Sequence, residues 1–210
     1  IHLLLHHFRI PLNKESKMTR LVFGVGFNDG KYPAKVNDKR TKEYETWYNL
    51  LLRCYSPSIH EKFPTYTSCS VGENFKNYSY FRDWCQSQTG FGFKGFQLDK
   101  DLLLKGNKVY SEDTCLFLPR ELNVLLTSGK AVRGSLPVGV TLQSGRFKAQ
   151  CCIDKPLPRF IGYFDTPELA FQAYKQAKEA FIKRQAEKWR AFIDPRAYQA
   201  LLRYEVLVTD

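Results

Sequence analysis

The most constraining feature of the sequence is a change of hydrophobic period near residue 165. Before it, three short segments alternate apolar and polar residues: PVGVTLQ, RFKAQCCI and RFIGYF. After it, DTPELAFQAYKQAKEAFIKRQAEKW keeps a helical pattern without a break. Alternation is typical of half-buried strands, and the longer period is typical of a helix. The C-terminal third is therefore predicted to be a three-stranded antiparallel sheet packed on one long helix.

The start of this helix is also marked in the sequence. Thr166 is a favourable N-cap and Pro167 suits the first helical position. Small side chains recur along one face and would let the helix lie close to the sheet: Ala170, Ala173, Ala177 and Ala180.

A second change of period occurs at Phe96. GFQLDKDLL and KVYSEDTCLFLP are strand-like, and RELNVLLT is predicted to begin a helix after Pro119. Upstream, apolar residues at three- to four-residue steps predict one helix from Tyr44 to Cys54, stopped by Pro57. A second helix is predicted over residues 75–85. Because their aromatic residues keep helical spacing, we interpret them as core residues. The predicted fold class is α+β.

The charge of the chain bears on its partners. Lys and Arg total 32 against 21 Asp and Glu, giving a net charge of +11. A folded protein this basic attracts polyanions, and nucleic acid is the commonest of them. An anionic membrane is the rival partner, but it requires a basic amphipathic helix or an anchor, and the sequence shows no anchor. We therefore expect a nucleic-acid partner and no membrane.

The six cysteines form no CxxC pair. We expect reduced, buried thiols in a cytoplasmic protein that is not secreted. The spacings of Cys54, Cys69, Cys85 and Cys115 match no standard zinc motif, so zinc is not expected. Residues 1–17 precede the only methionine, Met18, and their apolar run is too short for a membrane span. We expect Met18 to be the natural start.

The C-terminal segment resembles a known family. The matching residues, in order, are Gly139-Val140, Arg146-Phe147-Lys148-Ala149, Ile161-Gly162-Tyr163-Phe164-Asp165-Thr166, Glu168, Ala170 and Ala173-Tyr174. Residues 138–190 thus resemble an APETALA2/ERF-type DNA-binding domain, a family that lays its three-stranded sheet in the major groove. The resemblance implies that double-stranded DNA is the partner.

Strand alternation predicts which polar side chains would face that DNA. They are Thr141, Gln143, Arg146, Lys148, Gln150 and Arg159. Arg and Lys suit guanine or phosphate, and Gln suits adenine. The strands contain no tryptophan, unlike the plant pattern, which bears on sequence specificity more than on DNA binding. The alternative is a small packing module with no ligand.

The segment from Tyr44 to Leu126 carries a second resemblance. The matching elements are Trp47, Arg53-Cys54-Tyr55, Pro64-Thr65-Tyr66, Cys69, Val71, Phe81, Trp84 and the run from Leu98-Asp99-Lys100-Asp101 through Cys115 to Asn123. They are similar to phage homing-endonuclease-like proteins of the HNH (His-Me finger, ββα-metal) group, which often carry an APETALA2 module. The resemblance implies a phage protein acting in the host cytoplasm.

The same resemblance implies site residues. Asp99, Asp101 and Asn107 are the candidate catalytic residues, and Asp99, Asp101 and Asn123 are the candidate ligands of one Mg²⁺ or Mn²⁺ ion. Carboxylate and amide oxygens suit Mg²⁺. No histidine follows His60, so Asp and Asn replace the signature histidines of the group. Two interpretations remain open, an active metal-dependent DNA endonuclease and a DNA-binding or regulatory protein that keeps a degenerate nuclease scaffold. A basic structural protein that packs on nucleic acid is a third.

These inferences divide the chain into five predicted segments. They are an extension and basic arm (1–42), a nuclease-like module (43–127), a linker (128–137), an APETALA2-type domain (138–193) and a C-terminal tail (194–210). The oligomeric state and the DNA target are not predicted.

Overall fold

The computed structural model of the chain describes residues 20–127, 135–151, 159–208 and 210. It is a mixed α+β structure with nine strands and six α-helices in these residues. In chain order they are β1 (Lys35–Val36), β2 (Lys39–Arg40), α1 (Lys42–Tyr55), α2 (Pro57–Lys62), β3 (Ser70–Val71), α3 (Tyr78–Ser87), β4 (Phe96–Asp99), β5 (Val109–Tyr110), β6 (Leu116–Pro119), α4 (Arg120–Leu126), β7 (Val140–Gln143), β8 (Arg146–Cys151), β9 (Arg159–Phe164), α5 (Pro167–Trp189) and α6 (Pro195–Leu202). The predicted start at Met18 lies outside the described residues, as does most of the predicted linker.

The aromatic stripes of α1 and α3 form the first hydrophobic core, as predicted. Trp47, Phe75 and Phe81 are fully buried in it. The indole Nε1 of Trp47 donates a hydrogen bond to the carbonyl of Phe75 at 2.7 Å, so the largest buried side chain is also satisfied. Helix α3 begins at Tyr78, later than expected, because the Asn77 side chain caps it and accepts from Ser79 N at 2.7 Å.

The predicted strand–loop–strand–helix unit is present, with one difference. Strand β4 pairs antiparallel with β6, and α4 follows directly. One strand was expected within residues 108–119, but this segment forms two, β5 and β6. A turn at residues 111–115 separates them, in which the Cys115 N–H donates to the Ser111 carbonyl at 2.9 Å. Strand β5 instead pairs parallel with β3.

The C-terminal sheet is antiparallel, with the order β7–β8–β9, and α5 packs on it. This confirms the sheet-and-helix prediction. Thr166 caps α5 and accepts from Leu169 N at 3.3 Å. Ala149 on the sheet and Ala170 on the helix are fully buried where the two approach. Gly139 has φ +75, and a Cβ there would lie 2.1 Å from the Tyr174 ring, so this close approach requires glycine.

The C-terminal half of α5 joins this unit to the rest of the chain. Ile182 and Ala186 of α5 pack with Leu122 of α4 and Leu201 of α6 in a further core. Residues 194–210, expected as a tail, therefore contain a packed helix. Asp194 caps α6 and accepts from Arg196 N at 2.7 Å. In the part of the chain described here, no helix is both long and apolar enough to span a membrane.

Candidate nucleic-acid interface and cleft

The three-stranded sheet has one face on α5 and one open face. Val140 and Ala149 are register partners, and both are buried on the helix side. Residues directly opposite each other in an antiparallel pair point to the same side. The alternate pairs, Thr141 with Lys148 and Gln143 with Arg146, therefore lie on the open face. Gln150 follows by alternation along β8. The structure thus places five of the six predicted DNA-facing residues on one surface.

Hydrogen bonds hold the side chains of this face in place. Arg146 Nη2 contacts Asp165 Oδ1 at 3.3 Å and the Tyr163 carbonyl at 3.4 Å. The Tyr163 hydroxyl donates to Gln143 Oε1 at 3.2 Å. The Arg146–Asp165 pair is largely exposed, and exposed pairs contribute little to stability. Arg146 can therefore exchange this partner for a phosphate or a base at low cost.

The sixth predicted residue, Arg159, does not belong to this face. A β-bulge shifts the register between Ala149 and Gln150, so Arg159 is opposite the buried Cys151 and Phe160 is opposite Gln150. Arg159 is exposed, but register places it on the side of Cys151. The prediction assumed strict alternation along the strand, and a bulge changes which side of the sheet the residues beyond it face.

The bulge adds an aromatic pair that sequence reasoning missed. The rings of Phe160 and Tyr163 lie 5.1 Å apart, and the side chains are 51 % and 41 % exposed. Lys148 Nζ is 5.9 Å from the Phe160 ring. The open face thus presents apolar rings beside its cations and amides. Such a surface can contact both the backbone and the base edges of DNA.

A cleft of about 690 Å³ lies between α1, the loop after β4 and α4. Three of the predicted nuclease residues line it: Asp99, Asp101 and Asn123. The structure therefore brings the candidate metal ligands to one cleft. Asn107 is not among its lining residues, although its neighbours Gly106 and Lys108 are.

Asp99 is held rigidly at the end of β4. Its Oδ1 accepts the backbone N–H groups of Asp101 at 3.0 Å and Leu102 at 2.8 Å. The side chain is largely buried, and this burial raises the pKa of Asp99 above its ordinary value. The nearby Asp101 carboxylate acts in the same direction, whereas the two backbone hydrogen bonds oppose the rise.

Lys100, which sequence reasoning did not select, connects the other candidates. Its buried ammonium donates to Asp101 Oδ1 at 2.6 Å and to the Asn107 carbonyl at 2.7 Å. The Asn107 amide donates to the carbonyls of Lys100 at 3.0 Å and Val109 at 2.6 Å, and its Oδ1 accepts from Val109 N at 3.1 Å. Asn107 therefore fixes the shape of the loop.

The remaining candidates have simpler surroundings. Asn123 Nδ2 donates to Gln97 Oε1 at 3.3 Å, which leaves its own Oδ1 as an oxygen donor at the cleft. His60 Nε2 contacts the Arg53 carbonyl at 3.0 Å, and His60 is not a lining residue of the cleft. Among the described residues, no group of three or more His, Cys, Asp or Glu side chains is placed to hold a metal ion. A site here would depend on the Asn123 amide and on water.

The cysteines are structural in these surroundings. Five of the six lie in the described chain and are buried, and four of them are free thiols: Cys54, Cys69, Cys85 and Cys115. Burial raises the pKa of Cys54 and of Cys115 to about 12, so both thiols stay protonated at neutral pH.

Comparisons with protein-family models, with curated proteins and with solved structures found no match. Function is therefore inferred from the chemistry of the open sheet face and of the cleft.

Proposed function

We propose that this protein binds double-stranded DNA through the open face of the sheet formed by β7, β8 and β9. The observation that carries the proposal is the clustering of Thr141, Gln143, Arg146, Lys148 and Gln150 on one uncovered face, while α5 covers the other. Cations supply affinity for phosphates, and amides supply readout of base edges. The net charge of +11 and the resemblance of residues 138–190 to an APETALA2-type domain support the same partner.

The experiment is a fluorescence anisotropy titration of duplex DNA at several salt concentrations. Replacing Arg146 and Lys148 with Ala should cost about 1–3 kcal/mol per base contact, or reduce the salt slope by about one per phosphate contact. The matched control replaces Lys183 and Arg184, two exposed residues of α5, with Ala and removes the same charge. If both double variants bind like the wild type, the sheet is not the DNA-binding face.

A second candidate function is metal-dependent hydrolysis of phosphodiester bonds in the cleft. The observation in its favour is that Asp99, Asp101 and Asn123 line one cleft together with Lys and Arg side chains. Their oxygens are of the type that Mg²⁺ and Mn²⁺ bind, and Asp99 is already oriented by two backbone N–H groups. When bound, such an ion would supply an activated water molecule and stabilise charge on the phosphate.

The residues of the chain would have defined tasks in this reaction. Asp99 and Asp101 would hold the ion, with the Asn123 oxygen completing the set. The Lys100 ammonium donates a hydrogen bond to Asp101 Oδ1. An ion can therefore bind that oxygen only if Lys100 moves away from it. Asn107 would act indirectly, by holding the loop that carries Asp99 and Asp101.

Supercoiled DNA incubated with Mg²⁺ or Mn²⁺ tests this candidate. Wild type should nick or cut it, and Asp99→Ala, Asp101→Ala and Asn123→Ala should each abolish cutting while leaving binding to the sheet nearly intact. DNA that stays intact with wild type, with binding confirmed in the same tubes, would leave a protein that binds DNA without cutting it.

A further inference from the structure

Helix α1 carries a polar stripe that sequence reasoning did not select. Lys42, Thr46, Asn49 and Arg53 follow each other at four-, three- and four-residue steps. This spacing places them on one side of a helix, one above the other. All four line the cleft described above. The opposite side of α1 is buried through Trp47 and Leu51, so the helix is fixed, and the stripe residues at the cleft are exposed (Lys42) or half-buried.

The loop between β4 and β5 supplies the opposing wall. Lys105 and Lys108 line the cleft from this loop, and Lys100 lies deeper in it. Asn107, between Lys105 and Lys108 in sequence, is tied to the backbone of Lys100 and Val109. The loop cations are therefore carried on a backbone that is fixed by buried hydrogen bonds.

Two of the five cations of the cleft have carboxylate partners. Lys100 pairs with Asp101 at 2.6 Å and Lys105 pairs with Asp210 at 2.6 Å. Within residues 20–127, 135–151, 159–208 and 210, no carboxylate oxygen lies within 4.0 Å of the charged groups of Lys42, Arg53 or Lys108.

The cleft thus has an excess of positive charge. Once the two ion pairs are set aside, three cations remain against one acidic side chain, Asp99. Like charges that converge on a concave surface focus a positive potential there and favour an anionic ligand.

Two of these cations lie close to aromatic rings. The Arg53 guanidinium lies 5.9 Å from the Tyr66 ring, and Lys42 Nζ lies 5.5 Å from the Phe91 ring. Contacts of this kind restrict the side chains without neutralising their charge. The cations are therefore arranged before any ligand arrives, which lowers the entropic cost of binding.

We infer that the cleft is a second nucleic-acid contact, in which Lys42, Arg53 and Lys108 bind phosphates of a DNA backbone. The inference rests on the proposal that DNA is the partner, but not on the sheet being the face that binds it. Asn49, between the two α1 cations, would donate a hydrogen bond to the same backbone. The Thr46 hydroxyl already donates to the Lys42 carbonyl at 2.8 Å, so it would contribute only as a neighbouring polar group. The cleft then brings phosphodiester groups next to Asp99 and Asp101, whether or not hydrolysis follows.

The test is the salt dependence of affinity for a mixed-sequence DNA duplex, measured with the full chain. The variant is K42Q/R53Q/K108Q, and the matched control is K94Q/K183Q/R184Q. The control removes the same charge from exposed residues outside the cleft. Each lost phosphate contact lowers the slope of log K against log salt by about 0.9, so the cleft variant should lose about 2.7 and the control much less.

Replacing Arg53 also removes its contact with Tyr66, which contributes to packing. A second variant therefore distinguishes lost phosphate binding from a weakened fold. K42Q/K108Q leaves Arg53 in place and should lower the slope by about 1.8, with an unchanged unfolding midpoint. Equal slopes for the cleft variants and the control would overturn the inference, while wild-type affinity for DNA would still support the proposed function. Absence of any affinity for DNA in the wild type would overturn both.

Discussion

Replacing Asn107 tests whether this residue acts as a structural clamp. In the protein its side chain makes three hydrogen bonds, to the Lys100 carbonyl and to both backbone groups of Val109. A typical hydrogen bond contributes about 1 kcal/mol net, and a partner left buried without one costs about 1–3 kcal/mol. Asn107→Ala should therefore lower the free energy of unfolding by about 2–4 kcal/mol.

Asn107→Asp separates shape from hydrogen bonding. The carboxylate keeps the acceptor for Val109 N–H, but its second oxygen faces two carbonyl oxygens in place of the donating amide. It should destabilise the fold at neutral pH at least as much as Ala does. The control is Asn28→Ala, a half-buried residue whose side chain accepts from Gly30 N in an exposed hydrogen bond, and it should cost about 0.5 kcal/mol or less.

Urea unfolding followed by tryptophan fluorescence measures these differences. If Asn107→Ala lowers the free energy of unfolding by less than about 0.5 kcal/mol, Asn107 is not a structural clamp and its three hydrogen bonds do not contribute the energies assigned to them. Asn107 would then be free for the direct catalytic role that the sequence suggested.

Further predictions concern α6, the thiols and the pH dependence of cutting. Burial alone would raise the pKa of Asp194, but the hydrogen bonds that it accepts from Arg196 lower the pKa below its ordinary value. Because the folded-state pKa is lowered, the carboxylate of Asp194 stabilises the fold above about pH 4, and this part is lost as the pH falls through that pKa. The deficit of Asp194→Ala, about 1 kcal/mol near neutral pH, should therefore become smaller in unfolding measurements at low pH. Cys54 and Cys115, with pKa values raised by burial to about 12, should react with a thiol reagent at pH 8 only after denaturation. If the cleft cuts DNA, the rate should rise from about pH 7 to 9 with no step near 6.5, because none of the described residues that line the cleft is a histidine.

Local patterns predicted the elements whose structure depends on neighbours in sequence. Alternation followed by Thr166 and Pro167 predicted the C-terminal sheet and α5, and the change of period at Phe96 predicted β4, β6 and α4. Both outcomes follow because caps and hydrophobic period act over a few residues. The candidate ligands Asp99, Asp101 and Asn123 came from the resemblance and not from these local patterns, and all three line one cleft in the structure.

The rest depended on contacts between distant segments. Strand β5 forms by pairing with β3, which lies almost forty residues earlier, and α6 is held by packing on α4 and α5. The bulge places Phe160, and not Arg159, on the open face. It depends on how β8 and β9 pair, and the alternation of residues within one strand does not determine that pairing. The cleft cations on α1 could be recognised only once the loop after β4 was placed opposite them. Their helical spacing was the available signal.

Site-specific photo-crosslinking shows which surface of the protein touches DNA. A photoreactive p-benzoylphenylalanine replaces Thr141, which lies on the open face, and in a matched variant it replaces Gln176, an exposed residue of α5 on the other side of the sheet. After irradiation with duplex DNA at low salt, we expect a protein–DNA adduct from position 141 and little from position 176. Equal adducts from both positions, or an adduct from position 176 alone, would contradict the assignment of the open sheet face as the DNA-binding surface.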